Sequence, residues 1–161
     1  LSDEDDIQMF AKFYYLWSAF NSLYNLELDE DESERERIKK ILHLIERKNS
    51  DLFINDNSEE LMKYDEPVRD EKYYFLMKFN RRYREKHRNI KDDKKLNKIY
   101  KSPGSSFSQR LESVILTIYQ IRNNLTHGNK SGDYRDIYLI KNANPILFNL
   151  VNILLRKLEL K

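Results

Sequence analysis

The chain has 161 residues, with 29 Lys+Arg against 27 Asp+Glu and no Cys. That length fits one domain, or one domain with an insertion, and the missing thiols exclude disulfides, thiolate zinc sites and cysteine nucleophiles. With 40% hydrophobic residues but only 3 Gly and 3 Pro, the composition favours helices over a sandwich, a barrel or a glycine-rich doubly wound sheet.

No apolar run approaches the roughly 18 residues a membrane-spanning helix needs. The opening Leu1-Ser2-Asp3-Glu4-Asp5-Asp6 is acidic and does not read as a signal peptide. Without an initiator Met it reads as a trimmed chain or part of a longer protein. The expectation is a soluble, cytoplasmic protein without a membrane partner.

The net charge of +2 conceals an asymmetry. Residues 1–36 carry eleven acids and two bases, whereas residues 78–101 carry eleven bases and three acids. A basic block of that density is a footprint for a polyanion. Tyr83 and Tyr100 lie within it and are candidates for stacking on unpaired bases. The plainer reading is a solvated, lysine-rich face or a flexible insertion.

In chain order, a first helix is expected from about Asp5 to Tyr24. Phe10, Phe13, Trp17, Phe20 and Tyr24 recur at steps of three and four and so share one face. Ser33 with Glu36 forms a capping box for a second helix, whose apolar face is Ile38, Ile41, Leu42 and Ile45. Arg47 and Lys48 are expected in its last turn, with Asn49-Ser50 breaking it. Residues 50–66 read as loop with one short helix. Pro67 opens another helix, which becomes highly charged and ends before Lys91-Asp92-Asp93.

Ser102-Pro103-Gly104-Ser105-Ser106 is strong punctuation. A helix follows from about Ser106, with Leu111, Ile115, Ile118 and Leu125 in phase, and Gly128-Asn129-Lys130-Ser131-Gly132 ends it. The last helix starts near Asp133 or Tyr134. Its phase runs through Pro145 to Leu158, which predicts a kinked continuous helix, the alternative being a break at Asn144. The sum is an all-α, up-and-down bundle of four to five helices forming a single domain. Its two long C-terminal helices are expected to pair, and about 50–104 is an inserted elaboration.

Chemistry is sparse. There are three histidines. His43 sits within the second helix and reads as structural or surface, and His87 lies in the basic block. No two have metal-ligand spacing, so no metal site or cofactor is expected. The exception is Ile121-Arg122-Asn123-Asn124-Leu125-Thr126-His127-Gly128. Here Arg122 interrupts an apolar stripe, two Asn disfavour the helix interior, and His127 stands at a glycine turn. Arg122 and His127 are five residues apart, about 140° around a helix. They converge only if the helix ends or tightens near Thr126, or if a second subunit completes the site. The structural alternative pairs Arg122 with an acid, uses Asn123 and Asn124 on carbonyls, and makes His127-Gly128 a C-cap.

The run Arg122-Asn123-Asn124-Leu125-Thr126-His127-Gly128 resembles the signature of HEPN domains. The aromatic stretch Phe13-Tyr14-Tyr15-Leu16-Trp17-Ser18-Ala19-Phe20-Asn21 is similar to the first helix of the Apea-like groups of that family. The resemblance covers roughly residues 7–48 and 105–160. It implies a helical bundle that dimerises around the motif helices. It also implies a metal-independent endoribonuclease acting on single-stranded RNA, in a toxin or antiviral defence role, with an antitoxin or defence-system partner. Members that have lost activity serve as RNA-binding or partner modules. Carried over, Arg122 and His127 form the catalytic pair with Asn123 in support, and Asn21, Asn124 and Lys130 line the substrate cleft. Members paired with a nucleotidyltransferase antitoxin often carry Tyr two residues after the His; Asn129 stands there in this chain.

Overall fold

The computed structural model describes residues 3–26, 31–50, 52–63, 90–126 and 134–159. Seven helices and no strand occur among the described residues. They are α1 (Asp3–Tyr24), α2 (Glu34–Leu42), α3 (Arg47–Ser50), α4 (Asp56–Leu61), α5 (Ile90–Lys101), α6 (Phe107–Thr126) and α7 (Tyr134–Glu159). The all-α bundle expected from composition is what the described residues form. No helix among the described residues is long and apolar enough to cross a membrane.

The aromatic stripe of α1 builds the centre. Phe13 and Phe20 are fully buried and Trp17 and Tyr24 nearly so. Trp17 meets Phe20 edge-on at 5.4 Å and Phe20 meets Tyr24 at 5.0 Å, the geometry that ring quadrupoles favour. Ile38, Ile41 and Leu42 of α2 close over this cluster, as do Leu111, Ile115, Ile118 and Ile121 of α6 and Ile140, Leu147 and Leu154 of α7.

Side-chain bridges fix the directions. Tyr24 at the end of α1 bonds Glu34 at the start of α2, and Glu34 also meets Arg122 near the end of α6. At the far end, Glu46, just past α2, pairs with Lys157 near the end of α7 at 2.7 Å. Thus α1 and α6 run one way and α2 and α7 the other. The last turns of α1 and α6 and the first turn of α2 meet at one end of the bundle.

Several details differ from the sequence reading. The second helix stops at Leu42 rather than running on to Lys48. His43, Leu44 and Ile45 donate three residues back, to Lys40, Ile41 and Leu42, and this tighter turn brings Ile45 into the core. Asn49 and Ser50 lie in the short helix α3 instead of breaking a longer one. Residues 90–101, read only as charge, form α5, because Leu96 gives it a buried contact and Ile99 and Tyr100 are half-covered. Tyr100 is packed against the core, so it is no open platform for a base; burial pushes its hydroxyl pKa up. The long C-terminal helices are not each other's main neighbours: α7 lies chiefly against α1 and α4, and α6 against α5 and α2. The helix expected from Pro67, with Tyr83 and His87, lies outside the described residues.

Other expectations hold. The Ser33 capping box is formed, with Glu36 Oε2 accepting from the Ser33 N–H at 2.8 Å. The helix expected from about Ser106 starts there, and Ser106 and Gln109 add a reciprocal pair of the same kind that was not foreseen. The last helix is continuous through Pro145.

Candidate functional site

The site is built where α6 ends. Ile121 is buried beneath Arg122, so the helical phase places the guanidinium at the edge of the core. Its carbon lies 5.1 Å from the Trp17 ring centroid and 5.2 Å from that of Tyr119, one turn earlier on α6. Arginine is weakly hydrated and planar, which suits it to this stacking.

Arg122 Nη2 donates to Glu34 Oε1, and both side chains are mostly covered, at 19% and 28% exposure. The Ser33 cap makes Glu34 the first helical residue of α2. The cap therefore fixes the direction in which this carboxylate leaves the backbone.

A chain of polar groups extends from this ion pair. The Tyr24 hydroxyl donates to Glu34 Oε1 at 2.5 Å and lies 2.5 Å from Asn21 Oδ1. Asn25 Nδ2 donates to Asn21 Oδ1 at 3.2 Å, and Arg37 Nη1 donates to Asn25 Oδ1 at 2.7 Å. Burial is the main force raising the Tyr24 pKa far above 10, reinforced by the hydrogen bond to Glu34 and its charge; Arg122 pulls the other way. The Nε atoms of Arg122 and Arg37 are buried without a hydrogen-bond partner among the described residues.

The candidate residues fall out as follows. Arg122 and Asn21 belong to one network, linked through Glu34 and Tyr24. Asn123 and Asn124 are half-buried on the last turns of α6. Thr126 closes that helix, its hydroxyl donating back to the Arg122 carbonyl at 2.9 Å. His127 and Lys130 lie outside the described residues.

Glu34, Tyr24, Asn25 and Arg37 were missed from sequence. Glu34 was hidden by its neighbours, because Ser33 and Glu36 explain the helix start without it. The available signal was an unclaimed acid in a first turn, paired with an arginine interrupting an apolar stripe. His43 is exposed and caps α2, away from this network. Among the described residues, no three His, Asp or Glu side chains gather as metal ligands do. A cleft of about 370 Å³ lined by Leu52, Asn152, Leu155 and Arg156 lies at the opposite end of the bundle and contains none of these residues. Comparison with protein-family models, curated proteins and solved structures finds no match to the chain.

Proposed function

We propose that this chain is a metal-independent endoribonuclease that cleaves single-stranded RNA through Arg122 and His127, with two copies meeting at the motif. The observation that carries the reading is the setting of Arg122. It is a guanidinium at the end of α6, lying over the neighbouring rings of Trp17 and Tyr119 and joined by polar groups to Asn21. A bundle held only by its core has no need of a cation and five polar partners at that point.

The chemistry follows from the residue types. The ribose 2′-OH attacks the adjacent phosphorus while an imidazole takes its proton, and an imidazolium returns a proton to the departing 5′-oxygen. Arg122 forks onto the phosphate oxygens as their charge grows. Two motifs facing one another supply both acid and base, since each motif carries one histidine. The products are a 2′,3′-cyclic phosphate and a 5′-hydroxyl, and DNA is inert because it lacks the nucleophile. The defence or toxin role, with its antitoxin partner, is part of this proposal and rests on the family resemblance.

A second reading has a specific observation in its favour. Glu34 neutralises Arg122 within the chain, as a non-catalytic module that binds RNA or a protein partner would allow. One experiment separates the two. Wild type and His127→Ala are incubated with single-stranded RNA in EDTA, and cyclic-phosphate ends are scored. Cleavage by wild type alone supports the nuclease. Equal cleavage by both, or loss of wild-type cleavage in EDTA, overturns it, and RNA bound intact by both leaves the module.

A further inference from the structure

The basic block is not absorbed by the motif, and α5 is its described part. The side chains from Lys94 to Lys101 include four lysines and no acid. Lys94, Lys95 and Lys98 are exposed, while Leu96 and Asn97 turn inward and are buried. Four described lysines on other helices or helix ends meet carboxylates, Lys39 with Glu112, Lys40 with Glu32, Lys63 with Glu60 and Lys157 with Glu46, while Lys12 lies over the Phe148 ring; α5 differs in gathering three exposed lysines within five residues. Lys94, Lys95 and Lys98 meet no acid among the described residues. Glu59 of α4 does act on α5, but its charge is felt at Tyr100, which belongs to the packed side.

Position adds direction. A short turn at Ser102–Ser106 joins α5 to α6, and the two helices pack together. They therefore run antiparallel, and from Lys98 to Lys94 the row leads from the start of α6 towards the end that carries Arg122. Lys94 and Lys98 are one turn apart, with about 6 Å of rise between them. Repeated cations on a rigid helix suit a repeated anion. With Tyr100 packed away, the described part of this face offers charge and no stacking surface for bases.

We infer that Lys94, Lys95 and Lys98 form a docking track for the phosphate backbone of single-stranded RNA, separate from the Arg122 motif. The inference rests on the reading of this chain as an RNA enzyme and assigns the substrate a second point of attachment. Binding on this track is independent of base sequence and releases counterions.

The test uses His127→Ala, so that the strand stays intact, with fluorescein-labelled oligouridylate and oligoadenylate in EDTA between about 50 and 200 mM salt. Adding Lys94→Gln and Lys98→Gln weakens binding of both strands alike. It also lowers the slope of log affinity against log salt by about 1.4, roughly 0.7 for each lost contact with a single strand. Lys94→Arg with Lys98→Arg restores both. Far-UV circular dichroism checks that the variants are folded. Unchanged affinity and slope overturn the track, as does a loss confined to one base sequence. So does a change in self-association by sedimentation with RNA binding intact, which would assign the lysines to a second copy. Failure here is separable from failure of the nuclease. RNA held through the lysines but never cut by wild type sinks the catalytic reading alone. Metal-free cleavage with lysine-independent binding sinks the track alone.

Discussion

Glu34 and Arg122 are 88 residues apart in sequence and form an ion pair that ties the first turn of α2 to the last turns of α6. Breaking such a pair from one side leaves a covered charge without compensation. Glu34→Ala is expected to cost about 1–3 kcal/mol, below the range for fully buried pairs because both groups keep some solvent. In a double-mutant cycle with Arg122→Ala, the double variant is more stable than the two single losses predict. Urea midpoints at constant m-value measure this. Strict additivity would mean the pair contributes nothing.

Arg122→Lys keeps the charge and removes the planar fork and its stacking on Trp17 and Tyr119. On the proposed mechanism, metal-free cleavage falls by about 10²–10³-fold, read as loss of cyclic-phosphate product at saturating RNA. Full activity in the lysine variant would show that charge alone suffices.

Stability is expected to fall in alkali. The Tyr24 hydroxyl is raised well above its ordinary range, and that of Tyr138 is pushed up to about 12 by burial and by its bond to Glu60. The unfolded chain ionises these groups near pH 10 while the folded chain keeps them protonated. Their contribution is therefore complete below about pH 10 and is lost as pH rises towards the folded values. Tyr24→Phe flattens the decline, which urea melts at pH 8 and above pH 10 would reveal. Parallel pH profiles for the variant and wild type would remove Tyr24 from the effect.

Ser33→Ala removes the acceptor for the Glu36 N–H and is expected to cost about 1 kcal/mol. Glu36, held below its usual pKa chiefly by Ser33, returns towards the ordinary carboxylate range. Chemical-shift titration of Glu36 follows this directly, and an unchanged titration would dissociate the carboxylate from the cap.

The helices that were legible in sequence are those whose signals are local. The period of Phe13, Trp17, Phe20 and Tyr24 and the reciprocal bonding of Ser33 and Glu36 depend on residues within a few turns of each other. The choice of neighbours for α7 was not legible, because many apolar faces offer similar burial and topology decides between them. Helix α5 was obscured by its own charge, since Leu96, Ile99 and Tyr100 give a narrow stripe beside five lysines. Pro145 was legible as interior because the apolar phase continues through it; the proline and Lys141, four residues back, both lie on the exposed face of the continuous helix. Of the site, the chain announced Arg122 by making it an offence against its own helix. The acid that answers it came from another helix, and no spacing rule reaches that far.

The chain contains one tryptophan, and it is Trp17, against which Arg122 is stacked. Its fluorescence therefore reports on a single place without any label. A phosphate that draws the guanidinium off the indole must alter that emission, so occupancy of the motif can be followed optically in the unmodified protein, even where no bond is cut.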